Sequence, residues 1–408
     1  MSDRLSRRLL LQGAIAATAL AAAPRAQAQN SRMPFADWVA SFRPRALASG
    51  ISDQTYDRVM KGLKPDMRVF AMQAAQPEFT EATWQYVNRR VSDWRLITGR
   101  EKGREYAGLL ERLEKDYGVD RYVLLALWGV ESAFGDPIIQ QKYMRPVFPS
   151  LAALAWGEPR RRTYWERELL NALRIVERGW GTPQEMISSW AGAMGHTQWM
   201  PEVWLKLGID YDRDGRVSPF GKPDDALATT ARYLIERGKY RPGEHWGYEV
   251  RAAGAASSET RRTYAEWQKA GRGRADGKAY PLPEAKARMW VPVPNGPAFL
   301  IGPGFFALRS YNPSMNYALA IAHLADRLRG EGPFVRPFPG SEERVPTLAE
   351  MIEIQQRLTD YGFSTGGVDG RSGLDTLTAV RNYQRKVGME PADGYAGLKL
   401  LARLRQGP

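Results

Sequence analysis

One carboxylate stands inside an apolar stretch of this 408-residue chain. Residues 126–135 read ALWGVESAFG, and Glu131 is the charged side chain among them. Apolar surroundings and the negative end of a helix dipole both disfavour the ionised form of a carboxyl group. We therefore expect Glu131 to stay protonated near neutral pH, as a general acid acting on a glycosidic oxygen must. The alternative is a structural role, in which Glu131 caps a neighbouring group or pairs with an arginine.

The sequence before Glu131 predicts the helix that positions it. Asp120 is a suitable N-cap, with Arg121 opening the helix. The residues that follow are apolar nearly all round, which is typical of a buried helix. Glu131 lies near its C-terminal end, and Gly129 leaves room for another group to approach.

A second group of carboxylates has the spacing of a metal loop. Asp210, Asp212 and Asp214 alternate, and a glycine stands sixth, as at the start of an EF-hand loop. The position that normally holds the closing glutamate is Gly221. Two interpretations stay open: a structural calcium ion, or a metal-free turn in which the aspartates cap backbone amides.

Composition argues against several other chemistries. The chain has no cysteine and three histidines, so disulfides, thiol nucleophiles, zinc sites and histidine-driven triads are disfavoured. The net charge of +13 favours anionic polymers, such as cell-wall glycans with their peptide carboxylates, or lipid headgroups. We predict no nucleic-acid binding, because no basic stripe with interleaved aromatics is present. No internal run is long enough to span a membrane.

The N-terminus has the pattern of an export signal. Residues 6–28 read SRRLLLQGAIAATALAAAPRAQA, with two arginines, a short apolar segment and a small-residue cleavage site. We predict a signal peptide at residues 1–28 that resembles a twin-arginine signal, the alternative being an ordinary secretion signal. The expected location is the periplasm, as a soluble protein, which suits a chain without thiols.

Periodicity along the rest of the chain predicts a mainly α protein. Residues 34–240 and 314–329 repeat apolar residues at helical spacing, whereas 245–310 contain short β-rich segments that predict a small sheet. Residues 333–346 are rich in proline and glycine and are predicted to be a linker. A unit at 347–405 has two helix-like runs separated by GGVDGRSG.

Five motifs, in order over about 200 residues, carry a family resemblance. They are GVESAFG, SSWAGAMGHTQWMP, DYDRDGRVSPFGKPDDA, NGPAFLI and SYNPSMNYAL. Together they resemble the B-type lytic murein transglycosylases, and we assign residues 34–332 to that catalytic domain. The resemblance implies a lysozyme-like helical core with a small β-containing subdomain.

The same resemblance implies the reaction. These enzymes cut the β-1,4 bond between N-acetylmuramic acid and N-acetylglucosamine in peptidoglycan, and the muramyl C6 hydroxyl closes a 1,6-anhydro ring. One carboxyl, here Glu131, acts as acid and then as base, and no cofactor is required. This fits the sequence, because Asp136 lies before Pro137 in a turn where solvated aspartates are common. Glycosidases of most other kinds need two carboxylates.

The resemblance also transfers sugar-binding positions, although each of them has an ordinary structural alternative. His196 replaces an aromatic residue that some members carry, and is either a sugar-stacking or a surface residue. Trp199 is expected to keep an aromatic platform, and the family's longer loop implies that Asp225 closes the calcium site. The implied substrate-binding residues are Ser132, Ser189, Gln198, Met200, Tyr311 and Asn312.

Residues 347–405 resemble a small three-helix peptidoglycan-binding domain. The paired glutamine-containing helices and the intervening Gly-Val-Asp-Gly turn carry this resemblance. The implied role is to tether the enzyme to glycan strands and raise their local concentration, the alternative being an inert stability module. Two other functions remain open for the whole chain: a hydrolytic muramidase and a non-catalytic peptidoglycan-binding scaffold. The sequence names no cell-wall enzyme partner.

Overall fold

A computed structural model describes residues 33–74, 81–137, 142–252, 254–341 and 343–407. The predicted signal peptide at 1–28 lies outside the described residues. Within them the fold is mainly α, as predicted, with a small antiparallel sheet and a helical C-terminal unit. No helix in these ranges combines the length and the apolar character needed to cross a membrane.

Helices form most of the region before the sheet. Several of these helices begin at a residue whose side chain caps them. For example, the side chains of Ser52, Ser92 and Asp120 each accept a hydrogen bond from a backbone N–H of the first turn. Their bounds are Phe35–Ala48 (α1), Asp53–Met60 (α2), Arg68–Ala74 (α3), Thr83–Arg90 (α4), Asp93–Glu105 (α5), Ala107–Tyr117 (α6), Arg121–Ser132 (α7), Val147–Gly157 (α8), Arg162–Glu177 (α9), Pro201–Leu207 (α10) and Asp224–Glu236 (α11).

Two further helices follow the sheet and complete the core. They are Pro303–Tyr311 (α13) and Met315–Arg329 (α14). Helix α14 packs against α7, α4 and α5, and the buried apolar side chains of these helices form one continuous core with α6 and α11. A second core lies between α1, α2, α8 and α9. Helix α7 is thus buried by its neighbours, as its apolar sequence predicts.

The predicted sheet is present. Gly247–Val250 (β3), Ala298–Ile301 (β6), Lys286–Trp290 (β5) and Arg262–Thr263 (β4) lie side by side in that order, and each pair is antiparallel. The helix Tyr264–Lys269 (α12) follows β4. A separate two-stranded ladder pairs Arg145–Pro146 (β1) with Ile187–Ser188 (β2). It connects the end of the α7 region to the segment that precedes α10.

The proline-rich stretch 333–346 packs on the core. Phe338 is buried, and Phe334 packs against the same cluster and stacks on His323. The carboxylate of Glu249 accepts the backbone N–H groups of Val335 and Arg336 at 2.7 and 2.8 Å. The described part of this stretch is therefore held against the catalytic core over its first half.

The C-terminal unit has three helices around its own small core. Leu348–Asp360 (α15) and Leu374–Lys386 (α16) each bury a glutamine that binds an Asp-Gly turn, and Leu398–Arg405 (α17) packs on α15. The Gln355 amide accepts from Gly370 N and donates to Asp369. Gln384 does the same with Gly394 and Asp393. The glutamines of the two predicted helices are thus buried, and their hydrogen bonds fix the two Asp-Gly turns.

Candidate active site

Helix α7 carries Glu131 to the edge of the core. Asp120 caps the helix through Tyr122 N at 2.8 Å, and Leu124, Leu127 and Trp128 are almost completely buried. Glu131 is half-buried at the penultimate position of the helix. The predicted N-cap and the burial of the helix are confirmed, and they place one carboxyl group where an apolar helix meets the surface.

The hydroxyl of Tyr317 donates a hydrogen bond to Glu131 Oε1. Tyr317 lies on α14, three residues after the N-cap Ser314, and is 3% exposed. Burial first, and the charge of Glu131 second, raise the pKa of Tyr317 well above that of free tyrosine. The phenol therefore stays protonated and acts as a fixed donor to the carboxyl group.

Tyr311, an implied substrate-binding residue, donates its hydroxyl proton to a backbone carbonyl. Its hydroxyl lies 2.6 Å from the carbonyl oxygen of Thr197. Burial raises its pKa, with a further contribution from Glu131. Tyr311 thus connects the end of α13 to the residue before Gln198, while the neighbouring Tyr317 takes the contact with the acid.

The turn after Glu131 has an unusual backbone. Ala133, Phe134 and Gly135 all have positive φ, at 54°, 61° and 73°. For the two residues that carry a Cβ this costs about 1–2 kcal/mol each. Phe134 turns back onto the helix, and a Cβ on Gly129 would lie 2.5 Å from its ring. The group that approaches Gly129 is therefore Phe134.

Ser132 stabilises this turn from inside the protein. It is 2% exposed. Its hydroxyl donates to the carbonyl of His196 at 2.6 Å and accepts the N–H of Gly135 at 2.9 Å. The structure does not place Ser132 on an exposed surface for substrate, so its role here is to join the turn to the segment around His196.

His196 is neither a surface residue nor a sugar-stacking one. It is 6% exposed, its Nδ1 accepts from Trp128 Nε1 at 3.1 Å, and its Nε2 faces the carbonyl of Gly221 at 2.8 Å. Burial lowers its pKa, so the ring is neutral with the proton on Nε2.

Trp199, expected to form an aromatic platform, is 1% exposed and belongs to the second core.

The segment 188–201 presents the other predicted residues. Ser189 accepts the N–H of Ala193 at 3.3 Å, and Gln198 donates to the carbonyl of Gly195 at 3.0 Å. Gly195 has φ +71°, and a Cβ there would lie 2.1 Å from a carbonyl oxygen, so this approach requires glycine. Ser189, Gln198 and Met200 are half-buried, as is Asn312 at the end of α13.

Arg95 stabilises the C-terminal part of α7 through a hydrogen bond to its backbone. Its guanidinium donates to the carbonyls of Arg89, Arg90 and Gly129 at 3.1, 3.2 and 2.9 Å. Burial lowers its pKa to about 9. It ties the end of α4 to the turn of α7 that carries Glu131. No sequence pattern distinguishes Arg95, since arginines are common throughout this chain.

The acidic loop brings three of its four predicted ligands together. Carboxylate oxygens of Asp210, Asp212 and Asp214 lie within 4.8 Å of one another, so they suit a hard divalent cation. Asp225 lies outside this group, because its two oxygens accept the N–H groups of Tyr211 and Ser218 at 2.7 and 2.9 Å. Burial raises the pKa of Asp225 to about 6. Asp225 therefore stabilises the loop through hydrogen bonds to its backbone.

A cavity of about 710 Å³ lies away from Glu131, between the sheet and the helices. One of its lining carboxylates, the half-buried Asp326, is already hydrogen-bonded to His245, Trp246 and Arg329. This carboxylate is therefore engaged in contacts within the protein.

Comparison with known proteins agrees with this architecture. The family "Transglycosylase SLT domain" matches residues 34–326, and "Putative peptidoglycan binding domain" matches 347–404. SltB3 from Pseudomonas aeruginosa, solved with NAG-NAM-pentapeptide and with NAG-anhNAM-pentapeptide, is 38% identical. The match covers 91% of this chain and 100% of that one, with a TM-score of 0.70.

Two Escherichia coli proteins are more distant. Membrane-bound lytic murein transglycosylase B is 26% identical over 224 residues, which is 54% of this chain and 60% of that protein. Lytic transglycosylase Slt35, solved in complex with calcium, is 21% identical with a TM-score of 0.61, covering 73% of this chain and 94% of that one. This last likeness supports the fold alone.

The helical core, with one glutamic acid at the end of a buried helix, defines a lysozyme-like protein. The chain belongs to the transglycosylase SLT domain family, and its C-terminal unit matches the peptidoglycan-binding family.

Proposed function

We propose that this protein is a lytic transglycosylase that cleaves the β-1,4 bond between N-acetylmuramic acid and N-acetylglucosamine in peptidoglycan. The observation that carries the proposal is the Glu131–Tyr317 pair at the half-buried end of an otherwise buried helix. The likeness to SltB3, whose structures hold peptidoglycan fragments, supports the same substrate.

One carboxyl group performs both proton transfers. Protonated Glu131 gives its proton to the glycosidic oxygen as that bond breaks, and positive charge develops on the muramyl anomeric carbon. The muramyl C6 hydroxyl then bonds to this carbon, and the carboxylate of Glu131 accepts the hydroxyl proton. The product is a 1,6-anhydro ring, no water is consumed, and Glu131 ends protonated. The hydrogen bond from Tyr317 fixes the carboxyl group during both steps.

The half-buried residues around Glu131 suit the sugar. The side chain of Gln198 offers a donor and an acceptor to an acetamido group, and Met200 offers an adaptable apolar contact. Ser189, Tyr311 and Asn312 complete the proposed binding set. Two hydrogen bonds support their convergence: Tyr311 reaches Thr197, and Ser132 reaches His196. These bonds connect α7 and α13 to the 188–201 segment.

We also propose roles for three other segments of the chain. Residues 1–28 export it to the periplasm, residues 347–405 bind glycan strands, and residues 333–346 connect the two domains.

Calcium is proposed at Asp210, Asp212 and Asp214, whose converging oxygens suit it, with Asp225 bracing the loop. Calorimetric titration of the purified protein with calcium tests this site, and an absence of heat at millimolar calcium would remove it.

The substitution Glu131→Gln tests the function, since it keeps the shape of the side chain and removes the acidic proton. We expect a folded protein that still sediments with sacculi but releases no muropeptides. The matched control is Glu158→Gln, a half-buried glutamate that caps a 3₁₀ turn and should keep full activity. Loss of folding in Glu131→Gln would return this residue to a structural role, and wild-type activity would refute the proposal.

A further inference from the structure

The C-terminal domain holds the chain on both sides of residues 138–141, just after the active-site turn. Arg371 Nη2 lies 2.6 Å from Asp136 Oδ2, and Lys142 Nζ lies 2.7 Å from Asp375 Oδ2. The first pair is largely shielded, with side chains 20% and 18% exposed. The C-terminal domain supplies the cation of the first pair and the anion of the second, so this contact is charge-complementary. Asp136, expected to be a solvated turn residue, is thus tied to another domain.

Arg371 also contacts the aromatic side chains behind the turn. Its guanidinium lies 4.3 Å from the centre of the Trp94 ring, a cation–π contact. The Trp94 ring lies 6.4 Å from that of Phe134. Phe134 belongs to the left-handed turn that begins directly after Ser132. Arg371 therefore reaches this turn by two routes, through Asp136 and through Trp94.

Further contacts fix the domain in place. Tyr395 packs edge-on against Trp84, at 4.6 Å between ring centres, and Asp393 accepts from Gln85. Asp93 accepts the N–H of Leu348 at 2.8 Å. The two turns that the buried glutamines fix, at Asp369-Gly370 and Asp393-Gly394, are each followed by a residue that contacts α4 or α5. The domain is thus docked rather than freely tethered.

We propose that Arg371 is a positioning residue for the catalytic reaction, and that the C-terminal domain acts on the chemical step as well as on recruitment. This inference rests on the proposed function. The left-handed conformation of two consecutive residues with a Cβ, Ala133 and Phe134, is unfavourable by itself and persists only where its surroundings over-determine it. Ser132 and Phe134 hold the turn from within the catalytic domain, and Arg371 holds it from outside. A looser turn would misplace Glu131 relative to the glycosidic oxygen.

The test is kcat and KM on a short soluble glycan fragment, measured with the full-length protein. For Arg371→Ala we expect kcat to fall about tenfold, because small misplacements of a reacting group are costly, with little change in KM. Arg371→Lys should recover part of the loss. The matched control, Arg385→Ala, alters an exposed arginine of the same domain and should keep wild-type kcat.

A double-mutant cycle shows whether Arg371 acts through Asp136. Asp136→Asn should lower kcat to a similar extent, and the double variant should be no worse than either single variant. Wild-type kcat in Arg371→Ala, a change in KM alone, or additive losses would each overturn the inference. So would a loss explained by unfolding, as measured by thermal melting. Failure of the wild type to form anhydro ends would refute the proposed function, which is a separate result.

Discussion

Tyr311 and Tyr317 lie in one motif, SYNPSMNY, yet their hydroxyl groups serve different partners. Tyr317 donates to Glu131 and Tyr311 to the carbonyl of Thr197. Sequence reasoning identified Glu131 because a charge in an apolar helix is conspicuous. It could not separate the tyrosines, because that depends on how α14 packs against α7. The same is true of His196, whose burial comes from contacts with Trp128 and Gly221 that are distant in sequence.

Removing the Tyr317 hydroxyl tests its contact with the acid. We expect Tyr317→Phe to lower kcat about tenfold, which corresponds to losing a hydrogen bond of roughly 1.4 kcal/mol. The measurement is the initial rate on soluble glycan. Tyr311→Phe is the matched control, since its hydroxyl does not contact Glu131, and we expect a smaller effect on kcat. A larger loss in Tyr311→Phe than in Tyr317→Phe would contradict these assignments.

At the scale of elements, caps and periodicity predicted most of the helices and the small sheet. The Asp120 cap, the apolar α7 and the strands at 247–250, 286–290 and 298–301 follow from local sequence. Long-range packing was not predictable. Arg95 joins α4 to α7, and His323 of α14 stacks on Phe334 at 3.8 Å between ring centres, although Phe334 lies in a stretch whose composition indicates a linker.

The buried His323 should make stability depend on pH. Burial lowers its pKa to about 3, whereas the unfolded chain titrates near about 6.5. Between these values the unfolded state binds more protons, so stability is full above about pH 6.5 and falls as the pH is lowered. From pH 7 to pH 5 this residue should remove about 2 kcal/mol.

Chemical denaturation at pH 7 and pH 5 measures this contribution. His323→Phe keeps an aromatic ring against Phe334 and should lose less stability on acidification than the wild type, by about 2 kcal/mol. Phe334→Leu is the control, because it removes the stack and keeps the histidine, and it should retain the wild-type pH dependence. An unchanged pH dependence in His323→Phe would show that this residue is not the source.

At the scale of the whole molecule, the two family resemblances correctly predicted a catalytic domain and a C-terminal peptidoglycan-binding unit. How the two units meet could not be predicted. That contact depends on individual partners, such as Arg371 with Asp136 and Tyr395 with Trp84, and proline-rich composition alone favours a free linker. The docked arrangement places the C-terminal domain against α4 and α5, which pack in the same core as α7. Under the proposed function, capture and cleavage of a strand would therefore be physically connected.

The central claim is that one carboxyl group cleaves the glycan while the substrate itself provides the nucleophile. Mass spectrometry of the fragments released from sacculi tests it most directly. We predict muropeptides whose muramyl ends are 1,6-anhydro rings, lighter by one water than the hydrolytic product, with none released by Glu131→Gln. Reducing muramyl ends from the wild type would identify a water-using muramidase and contradict the account.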